Sequence, residues 1–224
     1  MKALCGVVAA ALMAVSLTAY AEASTVYIIK LKSSINPITK DYIIHWIDRA
    51  HQENAALIII QLDTPGGLLT SMKDIMDKML ASRVPIVVYV GPTGAWAASA
   101  GTFITLAADV AAMAPGTTIG AAHPVGIGRE PPPDEEKPSP ESKEKDKQSK
   151  ESPASQKITE FSATYARSIA QQKRRKPEAA QWAEKAVRES ATLTEKEALE
   201  KGVVDLIAKD LDELIEKLKG YTIY

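Results

Sequence analysis

Three runs of this chain leave little freedom of fold class. Ala56-Leu-Ile-Ile-Ile-Gln-Leu62, Val84-Pro-Ile-Val-Val-Tyr-Val90 and Val110-Ala-Ala-Met113 are apolar almost without interruption. A strand that buries one face alternates in polarity, whereas one that is apolar throughout is covered on both sides, the habit of central parallel strands. The stretches around them suit crossover helices. Asn36-Pro37 caps and opens one, along which Ile38, Tyr42, Ile43, Trp46, Ile47 and Ala50 recur at helical spacing. Leu69 to Ala81 is another, with Met72, Ile75, Met76 and Leu80 expected inward. With Val26-Tyr-Ile-Ile-Lys-Leu31 as a further strand, parallel strands and intervening helices imply right-handed βαβ crossovers. The class is α/β with a mostly parallel central sheet.

Arg129 to Gln156 breaks this alternation. It contains Pro131-Pro-Pro133 and a dense mixture of Lys, Glu, Ser and Pro. Such a segment cannot bury enough apolar surface to offset the entropy of ordering it, so a mobile insertion is expected at about 129–156. Order resumes at Lys157, with Ile158, Phe161, Tyr165, Ile169 and Ala170 expected on the inner face of a helix ending near Lys176-Pro177. A helix from about Pro177 to Glu189 follows. Thr194-Glu-Lys-Glu197 is a capping box that opens a short helix, stopped by Gly202. Val203 to Ala208 reads as a late strand and Leu211 to Leu218 as a last helix. One domain over 22–219, with a tail at 220–224, accommodates all of this.

Composition bounds the function. Of 224 residues 46% are hydrophobic, ample for a core, and 27 basic against 28 acidic residues give no basic face for nucleic acid. A single cysteine, Cys5, excludes an intramolecular disulfide. His45, His51 and His123 are scattered without a Cys/His cluster, and no phosphate-cradling glycine pattern occurs, so neither metal nor cofactor is expected. Met1-Lys2, an apolar run from Ala3 to Leu17 and Ala19-Tyr-Ala21 read as a signal peptide over 1–21, with an uncleaved anchor helix as the alternative. Export to a periplasmic or other extracytoplasmic site argues against chemistry that needs cytoplasmic coenzymes.

The chemistry concentrates in two consecutive strand-to-helix turns. In Gly94-Ala-Trp-Ala-Ala-Ser-Ala-Gly101 one hydroxyl, Ser99, stands among residues small enough to admit a substrate backbone. Asp63-Thr-Pro-Gly-Gly67 ends a strand in two glycines, whose N–H groups suit a developing oxyanion. Ser99 is the candidate nucleophile, with Gly66, Gly67 and Ala100 as oxyanion donors. Each turn alone has a plainer reading, a simple glycine turn or a serine N-cap; their pairing favours chemistry. A serine also needs a base, and His123 is the residue type most often used.

Four segments carry a resemblance: Asp63-Thr-Pro-Gly-Gly67, Ala97-Ala-Ser-Ala-Gly101, Met113-Ala-Pro-Gly-Thr-Thr-Ile-Gly-Ala121 and Ser190-Ala-Thr-Leu-Thr-Glu-Lys-Glu-Ala-Leu199. In this order the chain resembles the N-terminal domain of NfeD-type membrane-associated serine proteases, relatives of ClpP and signal peptide peptidase A within the ClpP/crotonase fold. The resemblance implies repeated ββα/βαβ units and a Ser–Lys dyad, with Ser99 as nucleophile and Lys157 as base. A lysine base needs its ammonium destabilised, as an apolar pocket does, and Ile158, Phe161, Ala97 and Ala98 are expected to line one. ClpP-like peptidases instead place a triad histidine where His123 stands. The resemblance further implies a peptide substrate from a membrane protein, such as a stomatin-like partner, and a homodimer or higher homo-oligomer. The competing classes are a crotonase-like acyl-CoA enzyme and a non-catalytic scaffold.

Overall fold

The computed structural model describes residues 25–124, 153–173 and 175–221. In chain order the first half comprises β1 (Val26–Lys32), α1 (Pro37–Gln52), β2 (Leu57–Asp63), α2 (Leu69–Leu80), β3 (Ile86–Val90), β4 (Trp96–Ala98), α3 (Ala100–Leu106), β5 (Val110–Met113) and β6 (Thr118–Gly120). The second half comprises α4 (Pro153–Gln172), α5 (Pro177–Arg188), β7 (Thr192–Thr194), α6 (Glu195–Glu200), β8 (Leu206–Ile207) and α7 (Leu211–Leu218).

The apolar runs become the middle of a five-stranded sheet in the order β1-β2-β3-β5-β8, every pair parallel. Every residue of β3 and β5 is buried, as continuous apolar strands require. Helices α1 to α5 cover one face, and α7 packs on the other against Tyr89, Val110, Ala112 and Ala208. β1 forms one edge, where Ile28, Lys30 and Lys32 are exposed between the buried Ile29 and Leu31. The α/β class with a mostly parallel sheet is therefore as expected.

Local signals in the sequence are realised atom by atom. The Asn36 side chain accepts from the Ile38 and Thr39 N–H groups at 2.9 and 3.1 Å, with Pro37 at the first helical position. Thr194 and Glu197 close the capping box of α6. Gly202 takes the left-handed conformation (φ +68°) that ends it.

Several expectations need correction. The late strand shrinks to Leu206–Ile207. Ile38 and Tyr42 of α1 are exposed, and its buried strip is Ile43, Ile47 and Ala50. On α2 Met79 is buried and Leu80 only half-buried. α4 begins at Pro153, so Pro153 to Gln156 are helical rather than part of the insertion. The rest of that insertion, the expected signal peptide and residues 222–224 lie outside the described residues.

The inner face of α4 also differs. It consists of Thr159, Ser162, Ala163, Ala166, Ile169 and Ala170, whereas Ile158 and Phe161 are 47% and 63% exposed. α4 packs most extensively on α5, whose buried face is rich in alanine (Ala179, Ala180, Ala183, Ala186). Small residues on both helices let the axes approach closely, which leaves the larger side chains outside the seam.

A second, three-stranded sheet, β4-β6-β7, was not foreseen. β4 pairs parallel with β6, and β6 antiparallel with β7. It stands beyond the C-terminal ends of β2 and β3, where open α/β sheets carry their ligand crevices.

Candidate active site

The glycine turn and the serine turn are drawn together by backbone pairing. Thr64, just past β2, forms a parallel bridge with Ala97 of β4: the Thr64 N–H donates to the Trp96 carbonyl at 2.8 Å, and the Ala98 N–H donates to the Thr64 carbonyl at 3.1 Å. Gly66 thereby lands against Ser99. A Cβ on Gly66 would lie 2.5 Å from Ser99 Cβ and 3.0 Å from Ser99 Oγ, on a backbone at φ +114°. Only glycine fits there, through both close approach and conformation. Gly67 forms a second parallel bridge, with Ile35, and a Cβ on it would lie 2.0 Å from the Ile35 carbonyl oxygen.

Ser99 occupies the N-cap position of α3 but does not cap it. Its backbone stands at φ 51°, ψ −114°, and its hydroxyl has no hydrogen-bond partner among the described residues. A positive φ on a non-glycine residue costs on the order of 1–3 kcal/mol and persists only where its surroundings enforce it. Here the enforcement is visible. The Ser99 N–H donates to the Gly120 carbonyl at 2.9 Å, and the Ser99 carbonyl accepts the Thr102 N–H at 3.0 Å. The buried Thr102 Oγ1 lies 2.9 Å from both the Ala97 and Gly120 carbonyls and accepts the Gly120 N–H at 3.1 Å. Thr102 thus ties the ends of β4 and β6 around the serine. Sequence reasoning missed it: the available signal was a hydroxyl on the first turn of a mostly apolar helix, easily read as core.

The proposed oxyanion donors separate on inspection. The Gly66 N–H donates to Thr64 Oγ1 at 3.1 Å, so it is engaged within the turn, and Gly66 matters for the space it leaves. The Gly67 N–H has no backbone acceptor among the described residues. Ala100, the first residue of α3, has an N–H that no intrahelical carbonyl can reach. The Gly67 and Ala100 N–H groups are therefore free of backbone acceptors among the described residues, whereas that of Gly66 is engaged within its turn.

The two candidate bases differ in setting. His123 is half-buried, with Nδ1 2.9 Å from the Val187 carbonyl near the end of α5. A carbonyl only accepts, so Nδ1 carries the proton; the position an orienting carboxylate takes in a Ser-His-Asp triad is filled by backbone. Lys157 lies in the second turn of α4, exposed, with no ion pair among the described residues and no hydrogen bond to Ser99. Of the four residues expected to line an apolar pocket around it, Ala97 is fully buried, Ala98 half-buried, and Ile158 and Phe161 are largely in solvent. α4 nonetheless packs beside α3 through Phe103 and Tyr165, so serine and lysine stand on neighbouring helices.

A serine with a free hydroxyl, fixed at a strained helix start and flanked by unengaged amides, is equipped for acyl transfer. Among the described residues no group of three or more His, Cys, Asp or Glu could hold a metal ion, and no helix is long and apolar enough to cross a membrane.

Comparison with known proteins bears directly on this geometry. The family model of the NfeD1b N-terminal domain matches residues 25–222. The chain belongs to that family. It is 38% identical over 196 residues to the membrane-bound protease PH1510 of Pyrococcus horikoshii, covering 87% of this chain and 40% of that protein. It is 37% identical over 120 residues to the membrane protein NfeD1b of Bacillus subtilis, covering 54% of this chain and 27% of that one. The chain thus spans less than half the length of these relatives. Among solved structures, a serine-to-alanine mutant of the 1510-N membrane-bound stomatin-specific protease superposes with a TM-score of 0.74 at 37% identity, covering 88% of this chain and 86% of that one. A lysine-to-alanine mutant of the same protease, in complex with a substrate peptide, gives 0.73 at 36%, covering 88% and 81%. ClpP1 from Listeria monocytogenes gives 0.61 at 18% identity, covering 84% and 94%, a likeness of fold alone. The expected ClpP-like architecture and NfeD membership both hold, and the Pyrococcus relative is a membrane-bound protease by name.

Proposed function

We propose that this chain is a serine endopeptidase in which Ser99 is the nucleophile and Lys157 the base. The carrying observation is Ser99 itself, an unpartnered hydroxyl on a strained backbone, pressed against Gly66 and braced by Thr102. Ser99 Oγ attacks the carbonyl carbon of a peptide bond while Lys157 Nζ accepts its proton. The tetrahedral oxyanion receives the Gly67 and Ala100 N–H groups; one such donor is typically worth about 3 kcal/mol at the transition state. As the C–N bond breaks, the Lys157 ammonium returns the proton to the leaving amine. The base then activates water to release the acyl group from Ser99.

What is known of relatives supports the finer reading. A 1510-N protease is stomatin-specific by name, and its serine and lysine mutants fit a dyad. We extend this to an apolar segment of a membrane protein, such as a stomatin-like partner, as substrate for this chain. It acts outside the cytoplasm, at the membrane, as a homodimer or larger homo-oligomer. Large apolar side chains exposed on the elements flanking the site, Leu69 of α2, Trp96 of β4 and Phe161 of α4, favour an apolar substrate.

The deciding experiment compares Lys157→Ala with His123→Ala in a peptide-cleavage assay. The dyad requires that the lysine variant be inactive and the histidine variant retain measurable turnover. The reverse pattern replaces it with a histidine-based mechanism.

A further inference from the structure

Three aromatic rings run in file between α3 and α4. Phe103 of α3 lies 6.4 Å from Tyr165 of α4 with ring planes 26° apart, and Tyr165 lies 6.1 Å from Phe161 with planes 13° apart. Phe103 belongs to the core, Tyr165 is half-buried and Phe161 is exposed. Their places along the two helices matter. Phe103 is one helical turn beyond Ser99, Phe161 one turn beyond Lys157, and Tyr165 two turns beyond it. The file therefore begins one turn from the nucleophile and ends one turn from the base.

The ion pairs of α4 lead elsewhere. Glu160 reaches Arg188 and Arg167 reaches Glu184, both on α5. Its small-residue strip is buried on the α5 side. Facing α3, the Phe103–Tyr165 pair packs ring against ring, and stacked rings resist a change of spacing because dispersion weakens steeply with a gap.

We infer that Tyr165 is a positioning residue: its ring, held between Phe103 and Phe161, sets the spacing of the first turns of α3 and α4 and so the reach of Lys157 to Ser99. This rests on the Ser–Lys reading above. A proton transfer in the transition state tolerates little error, and a misplacement of about 1 Å costs on the order of a hundredfold in rate.

The test is steady-state cleavage of a fluorogenic apolar peptide by the full chain, with the labelling rate of Ser99 by a fluorophosphonate measured alongside. Tyr165→Leu is expected to lower kcat by about ten- to a hundredfold with KM unchanged, and to slow labelling by a similar factor. Tyr165→Phe keeps the ring and is expected to restore both. Phe161→Leu, at an exposed site that does not threaten folding, is expected to lower kcat about threefold. Wild-type kcat in Tyr165→Leu overturns the inference, as does Tyr165→Phe failing equally, which would implicate the hydroxyl. A raised KM at constant kcat also overturns it, since that marks substrate contact. If Tyr165→Leu does not fold, wild-type kcat in Phe161→Leu overturns it instead. Full activity in Lys157→Ala overturns the dyad and this inference together; an inactive Lys157→Ala beside a fully active Tyr165→Leu overturns the inference alone.

Discussion

The proposed nucleophile and the proposed base are held by different means. Ser99 sits where β2, β4 and β6 converge, and nearly every bond that fixes it belongs to backbone or to the buried Thr102. Lys157 stands on the exposed side of α4, whose first turns are fastened by aromatic packing and by a surface ion pair from Glu160 to Arg188. Backbone pairing in a buried sheet is rigid and blind to pH and salt, whereas exposed ion pairs are weak and screened. One half of the site is built into the fold. The other is carried on a helix whose placement can be tuned without disturbing the sheet.

The largest test of this contrast removes each half outright. Ser99→Ala is expected to abolish peptide cleavage, by on the order of 10⁴-fold or more, while leaving the melting temperature nearly unchanged, since alanine keeps the Cβ and the same backbone hydrogen bonds. A variant that keeps cleaving would remove Ser99 from the mechanism. Gly66→Ala comes next, because it intrudes on the built half directly. With a Cβ due 2.5 Å from Ser99 Cβ, activity should fall about a hundredfold and thermal stability should drop; normal fluorophosphonate labelling of that variant would contradict the contact.

Thr102→Val keeps the shape and deletes the hydroxyl. It leaves the buried Gly120 N–H without its acceptor, and should destabilise by about 1–3 kcal/mol in chemical denaturation and reduce kcat about tenfold. Thr102→Ser should recover most of both, and failure to do so would assign the effect to the lost methyl group.

The smallest effect probes the carried half. The hydrogen bonds from Arg188 hold the Glu160 carboxyl below the usual carboxylate range. A depressed folded-state value means the brace is present above the unfolded carboxylate value and lost as pH falls through the folded one, so it is intact at neutral pH. Glu160→Gln should lower kcat at neutral pH by less than about threefold, an effect that shrinks in high salt. A salt-independent loss would point away from the ion pair.

The sequence showed the built half better than the carried half, for physical reasons. Continuous apolar runs forced the parallel sheet, and small residues around one hydroxyl singled out Ser99. Pairing between Thr64 and Ala97 joins residues more than thirty positions apart, so no local pattern announced that Gly66 would be pressed against Ser99. Thr102 was hidden because its three polar partners are backbone atoms of β4 and β6. On α4, periodicity alone put Ile158 and Phe161 inward; the alanine-rich face of α5 decided otherwise, since close packing of two small-residue strips outweighs the burial of larger side chains near a helix start.

The lysines of β1 bear on what the open edge of the sheet can pair with. An open strand edge invites a second edge to continue the sheet, and Lys30 and Lys32 project from the strand where such pairing would begin. Two copies joined there would bring like charges face to face, a common safeguard against runaway sheet extension. Pairing across that edge is thus disfavoured, and the sheet is guarded from being extended by a second chain.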